Sequence, residues 1–138
     1  MDPETGAIKV LRMATVHDAG RVINPIGHQG QIEGGLLQGL GLAMMEELIA
    51  EDGRISTLSL GDYKLPVTKD APPLTTVILE DGSGSGPFEA KAIGEMSISP
   101  VAPAIANAIF DACGVRITEL PLTAEKVFFA LRDRRGTR

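Results

Sequence analysis

The sequence predicts an α+β fold, a layer of helices packed on a mixed β-sheet. Three observations predict it. Residues 26–49 repeat apolar side chains at three- and four-residue spacing, as one face of a helix does. Residues 74–79, L-T-T-V-I-L, have the β-branched, apolar composition of a strand. Around them, helical and extended patterns alternate irregularly. The 138 residues suit one domain spanning 1–138, and a composition 43% hydrophobic and 22% charged excludes global disorder. A net charge of −5 argues against a nucleic-acid partner, which needs a basic face. Apolar runs fall well short of the ~20 residues of a membrane span. One cysteine, Cys113, leaves no intrachain disulfide and no cysteine metal cluster. With no leader visible, the chain reads as a soluble acidic domain of a reducing, cytoplasmic compartment.

Taken in order, the opening M-D-P-E-T-G is a turn, and residues 8–16 make a strand. Asn24 caps a helix whose first position is Pro25. Along 26–49, Ile32, Leu36, Leu40, Ala43, Met44 and Leu48 form an apolar arc, with Glu33 and Glu47 at its edges or paired. A second stripe holds Gly27, Gly30, Gln31, Gly34, Gln38 and Gly41. Each interior glycine costs ~1 kcal/mol against alanine, so this groove must return something in packing or binding. Residues 51–54 turn, 55–68 are mixed, 71–73 are extended and 74–79 form a strand. The glycine- and serine-rich 81–87 is a loop, either a lid or a connection. Ser99 caps the next helix, which buries Val101, Ile105, Ala108, Ile109 and Ala112 and ends at Gly114. Residues 115–120 alternate like a strand. Thr123 caps a last helix over 124–131, with Leu122 and Val127 as a hydrophobic staple. The tail 132–138 frays.

Most motifs fail. His17 and His28 lack metal-ligand spacing, and no G-x-S-x-G elbow is present. Residues 82–86 read G-x-G-x-G and lack the G-K-[ST] ending of a phosphate loop, which leaves nucleotide binding weak. Cys113 reads as a small buried hydrophobe. Two polar residues stand out. Gln31 lies on the glycine stripe, and Glu95 follows Gly94 just before a helix start that favours an anion. By residue type alone, Gln31 is equally a solvated or capping side chain and Glu95 a first-turn acid.

The segments D-A-G-R-V-I-N-P at 18–25, G-Q-I-E-G-G-L-L-Q-G-L-G at 30–41, K-A-I-G-E at 91–95 and P-A-I-A-N-A-I at 103–109 stand in this order. In wording, order and spacing they resemble the C-terminal part of the molybdopterin-binding catalytic subunit of molybdenum hydroxylases, the xanthine dehydrogenase and aldehyde oxidase family. The resemblance covers nearly the whole chain, from Asp2 to Leu131.

The resemblance implies a cofactor contact for Gln31, the Gln of the family's G-Q-[IV]-E-G segment. It implies a general base at Glu95, the Glu of its K-x-x-G-E segment, taking the proton of a hydroxyl on molybdenum. The implied reaction oxidises an aldehyde or N-heterocycle with oxygen from water. The implied cofactor is molybdopterin, plain or as its cytosine dinucleotide; its dithiolene holds the metal, so no protein ligands are expected. Physical chemistry agrees with these roles. A glycine groove admits a flat pterin, an amide offers both a donor and an acceptor to its edge, and Gly94 frees the backbone at the base. Lys91 either adds positive potential or is a surface residue. Implied partners are the rest of the molybdopterin-binding subunit, iron–sulfur and FAD subunits and a small-molecule substrate, with self-association through exposed apolar surface. Family catalytic subunits are several times longer, so the chain reads as a fragment, a truncated product or a piece of a split subunit, inactive and cofactor-free alone. The alternative is a non-catalytic subunit-docking module that keeps the family fold.

Overall fold

The computed structural model describes residues 1–136. In chain order these form β1 (Met13–Asp18), α1 (Pro25–Met44), β2 (Ala50–Glu51), β3 (Arg54–Ile55), α2 (Leu60–Tyr63), β4 (Leu74–Leu79), α3 (Val101–Cys113) and α4 (Ala124–Gly136). Short 3-10 turns stand at Thr68–Asp70, Pro87–Glu89 and Glu95–Ser97. The class is α+β, as predicted. Parallel and antiparallel pairings both occur: β1 with β4 in parallel from Met13↔Leu74 to Asp18↔Leu79, and β2 with β3 in an antiparallel hairpin. Asp52 and Gly53 turn that hairpin with φ of 49° and 77°, the left-handed pair that matches strand twist. β1 begins at Met13 rather than at residue 8. Met13 N–H donates to the Pro73 carbonyl, and Pro72 and Pro73 have no N–H with which to carry the ladder further back.

Asn24 accepts from the Gly27 N–H at 3.0 Å and starts α1 at Pro25. The expected arc is buried at Ile32, Leu36, Leu40 and Ala43. α1 stops at Met44 instead of residue 49, leaving Leu48 61% exposed. Its last carbonyls are taken: Met45 and Glu46 N–H both donate to Gly41, and Leu122 N–H donates to Ala43 at 2.7 Å. α3 buries Val101, Ile105 and Ile109, but Ala108 and Ala112 are exposed and line an open cleft shared with residues 8–14. Ser99 does not cap α3. The Glu95–Ser97 turn runs into it through Ile98, whose carbonyl accepts from Val101, so Pro100 takes the cap position. Gly114 ends α3 with φ of 68°.

Residues 115–120 are not a strand: among the described residues no strand pairs with them, and they run irregularly, placing Val115 in the core ahead of Leu122. Thr123 caps α4 through Lys126 N–H at 3.3 Å, and Leu122 and Val127 are both buried as the staple requires. α4 continues past residue 131 to Gly136. Arg132 lies 4.7 Å over the Phe129 ring, and the Arg134 guanidinium donates to the Cys113 carbonyl at the end of α3. The frayed tail expected at 132–138 is therefore helical to 136; residues 137–138 lie outside the described residues. One core joins α1, α3 and α4, with Met13, Leu74 and Ile78 of the parallel pair packed beneath it. The stretch Glu95–Cys113 has the length and mean hydropathy (1.2) of a membrane span. Its continuous helix is only α3, 13 residues or about 20 Å, against the ~30 Å of a hydrocarbon core.

Candidate functional site

The two singled-out residues lie on segments that pack together. The Glu95–Ser97 turn and the start of α3 rest on α1 at Gly35 and Gly39. A Cβ at Gly35 would overlap Ser97 Oγ, and one at Gly39 would stand 2.7 Å from Val101 Cβ and 3.0 Å from the Ile98 carbonyl oxygen. Bare backbone at both positions lets the turn sit directly on the helix. Ser97 is fully buried there, its Oγ without a hydrogen-bond partner. Gln31 lies one helical turn before Gly35, on the same side of α1. Glu95 leads the turn, and both side chains are exposed.

The expected glycine stripe divides. Gly27, Gly30, Gln31, Gly34 and Gln38 are exposed, and a Cβ at Gly30 or Gly34 would meet nothing within 4 Å. Gly41 is buried against Glu46 and Pro66. The packing glycines, Gly35 and Gly39, belong to neither expected stripe; their i, i+4 spacing was the available signal. One expectation about Glu95 is corrected. α3 starts only at Val101, so Glu95 stands beyond the first-turn reach of its dipole. Gly94 has φ of −68° and ψ of −93°, outside the regular helical and extended regions, with open space around a Cβ.

Ahead of Glu95, the chain folds back on the end of β1. Lys91 Nζ lies 2.5 Å from Asp18 Oδ2, 2.8 Å from Ser83 Oγ and 3.3 Å from both carboxylate oxygens of Asp81. Bonds from Ser83 and the Lys91 ammonium hold the Asp81 carboxyl down at about 2. Lys91 and the Gly20 N–H hold Asp18 below the usual carboxylate range, and Asp18 raises Lys91. Sequence spacing gave no sign of this cluster, whose members lie up to 73 residues apart. His17 is buried beside β4 with Nε2 2.6 Å from Thr15 Oγ1, and His28 Nδ1 meets the Asn24 carbonyl; both are structural contacts. Cys113 is half-buried and bonds the Ile109 carbonyl. Among the described residues no group of three or more His, Cys, Asp or Glu is placed to hold a metal.

An open stretch of α1 carrying the exposed amides of Gln31 and Gln38 thus lies beside a turn bearing the Glu95 carboxylate. Residues 1–72 match the molybdopterin cofactor-binding domain family, and the chain belongs to that family, of the molybdenum hydroxylase (xanthine dehydrogenase and aldehyde oxidase) type. The gamma subunit of the 6-hydroxypseudooxynicotine dehydrogenase complex of Paenarthrobacter nicotinovorans is 45% identical over 132 residues, 93% of this chain and 17% of that subunit. The aldehyde oxidoreductase molybdenum-binding subunit of Escherichia coli is 37% identical over 132 residues, 94% of this chain and 18% of that subunit. Aldehyde oxidoreductase from Desulfovibrio gigas superposes with a TM-score of 0.83 at 38% identity, over 93% of this chain and 14% of that one. The chain thus spans less than a fifth of the length of these relatives.

The residues present fit such a cofactor. The open positions Gly30 and Gly34 leave a strip of α1 with no side chain to obstruct a flat ring, and the first turn of α1 carries no acid to repel an anion.

Proposed function

We propose that this chain is the part of a molybdenum hydroxylase that contacts the pterin and supplies the proton acceptor, in an enzyme that oxidises aldehydes or N-heterocycles. The observation that carries this reading is the seating of the Glu95 turn on α1, one helical turn from Gln31 and beside the open glycines. When bound, the molybdenum cofactor, as molybdopterin or its cytosine dinucleotide, supplies two-electron oxidation with oxygen derived from water. Gln31 holds the ring edge, its amide giving both a donor and an acceptor. Glu95 presents an exposed carboxylate from a short turn and takes the proton that the reaction releases; it needs to come within about 3 Å of that proton's atom. The rest of a molybdenum-binding subunit covers the exposed apolar side chains Ile26, Leu11 and Phe88, and iron–sulfur and FAD subunits carry the electrons away. The chain alone is inactive and cofactor-free, and the assembled enzyme works in the cytoplasm.

Glu95→Gln in an assembled enzyme tests the assignment. Turnover should fall by about 10²–10⁴, the scale of a lost general base, with molybdenum content unchanged. Unchanged turnover refutes the role.

A further inference from the structure

We propose that Lys91 is a positioning residue for Glu95, clamping the strap 81–91 onto the end of β1 so that residues 92–94 are held between two anchors. The inference rests on the general-base reading of Glu95. The first anchor is polar. Asp18 divides its oxygens, Oδ1 to the Gly20 N–H at 3.0 Å and Oδ2 to Lys91 Nζ at 2.5 Å, while Asp81 and Ser83 hold the same ammonium from the far end of the strap. Backbone bonds run in parallel with it. Lys91 N–H donates to Ala19 and Arg21 N–H donates to Glu89, both at 3.0 Å, around a bridge between Gly20 and Ala90. The second anchor is Ser97 on Gly35. Between them Ile93 packs against the core, and Glu95 follows two residues later.

Two observations favour positioning over a direct electrostatic part. One ammonium faces two carboxylates, so the cluster is net negative and offers no positive potential to the site. The strap also contains two consecutive non-glycine residues in the left-handed region, Phe88 at φ 58° and Glu89 at φ 63°. Such backbone persists only where its surroundings hold it. Phe88 is 73% exposed, so side-chain burial does not hold it; the Lys91 cluster and the Gly20–Ala90 bridge do.

Hydrogen exchange on the 138-residue chain tests the clamp without cofactor. In Lys91→Met, the Arg21 and Lys91 amides should exchange about five- to tenfold faster while Leu36 and Leu40 of α1 are unchanged. Lys91→Arg should restore protection. Strap amides that exchange at the wild-type rate in Lys91→Met overturn the proposal. Should Lys91→Met fail to fold, Asp18→Asn removes the carboxylate that ties Lys91 to β1 and must show the same local loosening. In an assembled, loaded enzyme, Lys91→Met should lower kcat about tenfold with KM within about twofold, and Lys91→Arg should recover most of it. Full kcat in Lys91→Met, where Glu95→Gln is inactive, overturns the positioning role alone. A Glu95→Gln enzyme with full turnover removes the general-base reading instead, and the exchange rates still judge the clamp.

Discussion

Gly39→Ala is the sharpest perturbation of the seat beneath Glu95. The added methyl would lie 2.7 Å from both Cβ and Cγ2 of Val101 and 3.0 Å from the Ile98 carbonyl oxygen. No rotamer change relieves this, because Val101 Cβ moves only with its backbone and the Ile98 oxygen is backbone. Val101 is 2% exposed at the first turn of α3, so the helix start must lift as a unit. Overpacking of this kind costs about 1–3 kcal/mol, and the rigid partners put Gly39→Ala near the upper end. Alanine gains about 1 kcal/mol over glycine inside a helix, leaving a net loss of about 2 kcal/mol. Gly30→Ala is the control. It lies in the same helix with nothing within 4 Å of its Cβ, so only the propensity gain remains and the chain should be stabilised by up to about 1 kcal/mol. Urea unfolding of the two variants should therefore move the midpoint in opposite directions, about 3 kcal/mol apart in total. If Gly39→Ala matched or exceeded the wild type, close seating of the turn on α1 would be wrong.

Gln31→Ala in an assembled enzyme should lower molybdenum retention more than it lowers turnover per bound metal; equal metal content in mutant and wild type removes its assigned contact. Acid should loosen the strap. Asp18 and Asp81 have folded values below the unfolded 3.8, Asp81 at about 2, so their contribution is complete above about pH 4 and is lost as pH falls through about 2. Exchange at the Lys91 amide should quicken through that window beyond its intrinsic pH trend, and Asp81→Asn should flatten the change. An undiminished change in Asp81→Asn would count against the assignment.

Elements defined by contiguous residues were legible in the sequence. Asn24-Pro25 marks the start of α1 because both groups act locally on the first turn, and Leu122, Thr123 and Val127 mark α4 for the same reason. Residues 74–79 were legible because strand composition and strand pairing coincide there. The misreadings came where a distant partner decides. Residues 115–120 alternate like a strand but have no strand to join among the described residues, and Ser99 has capping chemistry but follows a turn that already feeds the helix. Gln31 and Glu95 were visible through motif wording, whereas the contact between their segments depends on Gly35, Gly39 and Ser97, which only the fold brings together. Lys91 was ambiguous for the same reason: Asp18 lies 73 residues away.

Because the Glu95 turn and the start of α3 rest on the bare main chain of α1 at Gly35 and Gly39, through the short side chains of Ser97 and Val101, their height above α1 is set largely by atomic radii. Little slack remains there through which a substitution elsewhere on α1 could fine-tune it. On the proposed reading, a proton acceptor mounted in this way would hold a constant setting, and differences in which molecules are oxidised would have to be written into parts of the enzyme outside this platform.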